Sequence, residues 1–115
     1  MAGEIELQRH FLGAITRACP WLRLFRRMVG MAEVRGHKVS FGVKGQSDLY
    51  GFDDQGRTYE IELKAAGGRV SLEQSQWGLF CLTWNVKYYL LQARAGETRD
   101  ETVARWCAEL TAGRA

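Results

Sequence analysis

Three observations predict an α/β domain with a mixed sheet. Apolar residues recur at helical spacing near both ends and once in the middle, and two-residue alternation fills the stretches between. The length, 115 residues, suits one domain and leaves little room for a second. The predicted order, α-β-(β)-β-β-α-β-α, mixes hairpin-connected strands with a strand reached through a helix.

The first helix is predicted from about Glu4 to Ala18, where Ile5, Leu7, Phe11, Leu12, Ile15 and Ala18 recur at near-helical spacing, and Pro20 ends it. "WLRLFRRMV" alternates from Trp21 and carries apolar residues on both faces near its start, which predicts a buried strand. Glycine-punctuated "GMAEVRGHKVSFGVKGQ" reads as a loop or a short irregular hairpin, with a possible strand at Lys38–Phe41. "SDLYGF" and "RTYEIELKA" flank "DDQG" and predict a hairpin in which Gly56 supplies the turn conformation.

Ser71 and Gln74 have the spacing of a capping box, opening a helix through Trp84 with Leu72, Trp77, Phe80, Cys81 and Trp84 as an apolar face. "VKYYLLQA" has enough apolar residues to sit inside a sheet. Thr98 and Glu101 form another box, and Val103, Trp106, Cys107 and Leu110 are the core face of the helix that follows.

Net charge is +3, unevenly placed: residues 1–50 hold eight basic and four acidic side chains, and residues 51–115 hold eight and nine. A basic first half is compatible with a polyanionic partner. Cys19, Cys81 and Cys107 are odd in number and lack metal-site spacing, which argues against a disulfide framework and a structural zinc site. No apolar run approaches the roughly 18 residues that would span a membrane. The polar, acidic start is unlike a signal peptide, so an intracellular protein is the expectation.

The candidate chemistry lies on "YEIELK". Strand alternation puts Glu60, Glu62 and Lys64 on one face and Tyr59, Ile61 and Leu63 on the other, facing the core. The hairpin brings Asp48 opposite the Glu60–Glu62 stretch, where it can face Glu62. Two adjacent carboxylates repel, and a hard divalent cation resolves that repulsion. A neighbouring lysine stabilises developing negative charge or helps activate water. Those parts suffice to hydrolyse a phosphodiester. Alternating charge also serves a merely solvated strand, and a capping box accounts for Gln74 without catalysis.

Four stretches taken in order carry a resemblance: "RRMVG" (26–30), "FGVKGQSDLYG" (41–51), "YEIELKAAGGRVSLEQSQW" (59–77) and "YYLLQA" (88–93). Together they resemble the virus-type replication-repair nuclease (VRR-NUC) family of the PD-(D/E)xK nuclease superfamily. The resemblance implies a restriction-endonuclease-like fold, a mixed central sheet flanked by helices, spanning 1–115 as one nuclease domain. It implies that Asp48 and Glu62 bind Mg²⁺ or Mn²⁺, that the Leu63 backbone carbonyl joins them, and that Lys64 is the catalytic lysine. Gln74 matches a glutamine expected to position water or the lysine, and Glu6 matches an acid of the first helix expected to reach the metal. Glu60 has no counterpart. Ser47 stands where many members have proline, a position that carries no chemistry.

Arg26, Arg27, Lys44 and Arg69 lie near these motifs, and DNA phosphate contacts are expected among them. Bare domains of this family look like homodimers that cut branched DNA, including four-way junctions, whose two-fold symmetry matches a dimer. The expectation is a metal-dependent Holliday junction resolvase. The alternatives are a flap or nicking nuclease and a non-catalytic DNA-binding accessory module. The last helix and "VGMAEV" are the candidate dimer surface.

Overall fold

A computed structural model of the chain describes residues 2–28 and 30–114. In chain order the elements are α1 (Glu4–Ala18), β1 (Leu22–Arg26), β2 (Gly30–Val34), β3 (His37–Phe41), β4 (Leu49–Asp53), β5 (Thr58–Lys64), α2 (Leu72–Thr83), β6 (Lys87–Gln92) and α3 (Arg99–Ala112). Four strands form one mixed sheet in the order β1-β4-β5-β6. β1, β4 and β5 are antiparallel neighbours, and β6 returns parallel to β5 after the α2 crossover.

The first face of the sheet carries Leu22, Leu49, Tyr59, Ile61, Leu63 and Leu91, all buried. α1 lays Leu7, Phe11 and Ile15 into the core, and α3 adds Val103, Trp106, Cys107 and Leu110. The two helices meet where Phe11 and Trp106 pack edge to face, ring centroids 5.6 Å apart. These apolar residues of α3 belong to the domain's own core, so they offer no dimer surface. The side chains of Gly30–Ala32 in "VGMAEV", and all of Val29, lie outside what is described.

Capping follows the sequence at α2 and α3. Ser71 with Gln74, and Thr98 with Glu101, each make both hydrogen bonds of the box. The β4–β5 turn is the expected one: Gly56, at φ 77°, closes a three-residue loop in which the Asp53 carbonyl accepts from Gly56 N–H at 3.1 Å. The glycine-punctuated stretch resolves into a two-stranded hairpin, β2 with β3, separate from the main sheet. Its turn, Arg35–Gly36, has both residues at positive φ (51° and 78°), the conformation of a type I′ turn.

Three expectations about placement change. β1 and β6 are the edges of the main sheet rather than inner strands. β1 leaves Phe25 exposed, while the apolar content of β6 answers to the layers on its two faces: Leu91 enters the core on the first, where Tyr89 also stacks on Tyr59 of the neighbouring strand, centroids 6.2 Å apart. Tyr88 lies under Gly78 of α2, so close that a Cβ there would come within 2.9 Å of its ring. α2 turns Gln74, Gly78 and Cys81 toward the sheet, and Leu72, Phe80 and Trp84 stand exposed. The reason is the close approach at Gly78, which lets the helix pack through its small residues and leaves its large ones outside.

Candidate metal centre

The second face of the sheet, under α2, carries the chemistry. The register Leu49↔Ile61 and Tyr50↔Glu60 places Asp48 one step beyond, opposite Glu62. β4 begins at Leu49 while β5 runs on to Lys64, so the end of β5 borders a notch instead of a paired strand. Asp48 fills part of that notch: its Oδ2 accepts the Leu63 backbone N–H at 2.8 Å. In a strand a residue's carbonyl points to the same side as its N–H, so the Leu63 carbonyl also faces the Asp48 side.

This face is not a solvated one. Glu60, Glu62 and Lys64 are all buried, with Glu62 only 1% exposed. Glu62 Oε1 accepts from Gln74 Nε2 at 3.1 Å and lies 4.0 Å from Lys64 Nζ. Glu62 Oε2 has no hydrogen-bond partner among the described residues. A buried, unpaired carboxylate oxygen is costly unless something positive meets it. Glu4, Asp48 and Glu62 each offer a carboxylate oxygen, all within 4.8 Å of one another.

Burial first, then the Asp48 carboxylate beside it, push the Glu62 carboxyl up to about 9, while Lys64 pulls it down and Glu4 adds to the rise. The Glu4 carboxyl is raised as well, by burial and then by Asp48, against the opposing pull of Lys64 and a hydrogen bond from the Ala65 backbone. The three acids therefore share one strained electrostatic environment.

Gln74 reconciles the two readings of its sequence position. Its Oε1 accepts the Ser71 N–H at 2.9 Å, completing the cap, while its Nε2 donates to Glu62. The capping box orients the amide, and the amide in turn fixes the carboxylate.

The structure does not bring Glu6 to this group. Glu6 lies 3.3 Å from Arg99 of α3, and Glu4 stands with Asp48 and Glu62 instead. Helical phase accounts for the exchange. Glu4 precedes Leu7 by three residues and so extends the buried Leu7–Phe11–Ile15 stripe, whereas Glu6 is rotated away from it. That phase was available in the sequence.

The expected phosphate contacts divide. Arg26, Lys44 and Arg69 are exposed, with Lys44 3.3 Å from Glu73. Arg27 is committed elsewhere. Its guanidinium forks onto both oxygens of Glu60, through Nη1 to Oε1 and through Nη2 to Oε2 at 2.8 Å. It also lies over the rings of Tyr50 and Trp77, at 4.7 and 5.9 Å from their centroids. Trp77 Nε1 donates to Glu60 at 2.9 Å. Glu60, which matched nothing in the motif, is thus the buried anchor that ties β1 and α2 to β5. Ser47 is buried, and its Oγ has no partner among the described residues.

Cys19, Cys81 and Cys107 are free thiols, all buried. No helix among the described residues is long and apolar enough to cross a membrane. No protein-family model matches this chain, and no curated protein matches it. The functional assignment therefore stands on the residues themselves.

Proposed function

We propose that the chain is a divalent-metal-dependent deoxyribonuclease that hydrolyses phosphodiester bonds in branched DNA, acting inside the cell as a homodimeric Holliday junction resolvase on a restriction-endonuclease-like sheet. The observation that carries this reading is the meeting of Glu4, Asp48 and Glu62 around an unpaired, buried Glu62 oxygen, with Lys64 beside it. The donor set is all hard oxygen, which suits Mg²⁺ or Mn²⁺ and not a soft metal.

Asp48, Glu62 and Glu4 would hold the cation, with the Leu63 carbonyl on the same side. Bound there, a divalent cation supplies Lewis acidity toward a phosphoryl oxygen and toward the attacking water. Lys64 places its ammonium beside the acids, where it offsets negative charge that develops on phosphorus-bound oxygens. Gln74 holds the Glu62 rotamer, so the carboxylate pays no reorganisation cost on binding.

Labelled four-way junction, flap and linear duplex, each incubated with Mg²⁺, Mn²⁺ or EDTA, test the reading. Symmetric metal-dependent nicks in the junction are expected. Cleavage confined to the flap or to single nicks assigns the flap or nicking alternative. No cleavage of any substrate in either metal sinks the nuclease reading and leaves a DNA-binding module. Asp48→Asn and Lys64→Ala abolish cutting while junction binding persists. Glu4→Gln impairs cutting and Glu6→Gln does not.

A further inference from the structure

The second face of the sheet continues past the acids into an aromatic surface. Phe25 on β1 and Tyr50 and Phe52 on β4 stand on that face, each 40–50% exposed. Phe25 lies 5.7 Å from Tyr50 and 6.0 Å from Phe52, at tilts of 38° and 41°. Across the Arg27 guanidinium, which touches both Tyr50 and Trp77, the surface passes to α2. There Trp77, Phe80 and Trp84 follow one another at 5.6 and 6.3 Å. A cavity of about 560 Å³ beside Trp77 and Phe80 is lined largely by apolar surface, with Gln76 and the Lys44–Glu73 ion pair at its rim.

Soluble domains rarely leave so many large rings in one contiguous run without a partner. We propose that this run is a stacking surface for the unpaired bases of a nucleic-acid strand, leading into the acid cluster. The proposal rests on the nuclease reading for its purpose, though not for its test.

Three features select this occupant. Stacking needs an accessible ring face, which the half-exposed Phe25 and Phe52 offer and Tyr50 offers on the side away from Arg27, and any base has a π-face to give, so recognition is independent of sequence. Cations accompany the rings: Arg23 is exposed and pairs with Phe52 across the β1–β4 ladder, and Lys44, paired with Glu73 at 3.3 Å beside the cavity, is exposed enough to exchange that partner for a phosphate. Phosphates of a stacked strand would meet those charges. The distance is also short. Tyr50 is two residues from Asp48 on the same face, about 7 Å along the strand at ordinary strand rise. That is about one nucleotide's reach, so a strand lying on Phe25 and Tyr50 delivers its next phosphate to the acids. Branched DNA, unlike a plain duplex, has unstacked nucleotides to give to such a surface.

The test measures binding alone, in EDTA, so that no cleavage enters. Fluorescein-labelled oligothymidylate of twelve residues and a blunt duplex of equal length are titrated with wild type, Tyr50→Ala, Phe25→Ala/Phe52→Ala and Leu79→Ala. Far-UV circular dichroism and gel filtration accompany each variant. Stacking contributes about 1–3 kcal/mol per base, so each ring variant should lose about fivefold to 150-fold in affinity for the oligothymidylate. Duplex affinity should change less than twofold, and Leu79→Ala, on the outer pole of α2, should bind like wild type. Tryptophan fluorescence of the wild type should be quenched as the oligonucleotide binds.

Unchanged oligothymidylate affinity in folded ring variants overturns the proposal. So does a wild-type dimer that falls to monomers in those variants with affinity retained, since the rings would then cover a second copy of the chain. A protein that cuts junctions with its ring variants unaffected fails only here. One that binds strands through the rings and never cuts fails only the nuclease reading.

Discussion

Glu62→Gln should stabilise the metal-free protein, against the usual direction of a buried substitution. The carboxyl is buried, one oxygen has no partner, and Asp48 and Glu4 crowd it. Its pKa in the folded chain, about 9, lies far above the 4.5 of an unperturbed glutamate. Between those values the folded protein holds a proton that the unfolded chain has released. Stability therefore falls as pH rises through that window. The penalty is absent below pH 4.5 and complete above pH 9. At about 1.4 kcal/mol per pH unit it amounts to about 3 kcal/mol at pH 7.

Glutamine has the shape of the protonated acid and no charge to desolvate, so the variant escapes the penalty. Urea unfolding in EDTA, followed by far-UV circular dichroism from pH 5 to pH 9, measures the difference. The two proteins should converge near pH 5. The variant should lead by about 3 kcal/mol near pH 7, worth roughly 10 °C or more in Tm for a domain of this size. Adding Mn²⁺ should restore the wild type at high pH through linkage and leave the variant where it was. Parallel pH profiles, or a variant less stable than wild type at pH 8 in EDTA, would refute the account of Glu62.

The remaining predictions concern the frame around the site. Asp53 is buried at the β4–β5 turn; burial raises its carboxyl, but the N–H groups of Arg57 and Gln55, the Arg57 guanidinium and the Tyr59 hydroxyl hold it at about 2. Because that value lies below the ordinary 3.8, its stabilisation is complete above pH 3.8 and is lost as pH falls toward 2. Asp53→Asn should cost about 2 kcal/mol at pH 7, the worth of a charged hydrogen-bond set, and flatten acid unfolding in that range. Gly78→Ala forces a methyl group against Tyr88, and should cost about 1–3 kcal/mol in urea unfolding while cutting activity by displacing Gln74 from Glu62. Arg27→Met should cost about 3–5 kcal/mol by stranding Glu60, and adding Glu60→Gln should recover much of it in a double-mutant cycle. The Cys81 and Cys107 thiols are each raised to about 11 by burial, so neither should react with a thiol reagent at pH 8 until the chain unfolds.

Much of the frame is legible in local pattern. The first helix, the β4–β5 hairpin and both capping boxes depend on neighbours in sequence, and each forms where spacing alone places it. The facing of Glu62 and Lys64, and the approach of Asp48, follow from strand period and hairpin register in the same way. What spacing does not reveal is which layer covers a face. Leu72, Phe80 and Trp84 look like a core stripe, yet α2 packs through Gly78 and Cys81 because Tyr88 lies too close for anything larger. An apolar β6 sits at the edge of the sheet because helices supply its burial from the faces. Glu6 shares its acidity with Glu4, and only rotation about the helix axis separates the two.

Glu60 and Glu62 make the same point at the site itself. They stand two residues apart on one strand face, both buried, and composition cannot tell them apart. Glu60 receives a guanidinium fork and an indole N–H, so its charge is matched within the fold. Glu62 receives one amide N–H and a lysine at 4.0 Å, against two more carboxylates and an oxygen with no partner. A domain selected only for stability has no use for that second arrangement, since a neutral side chain of similar shape fills the space at less cost. Glu60 holds the scaffold together. Glu62, two residues on, weakens it, and that local loss of stability makes it the more compelling functional residue.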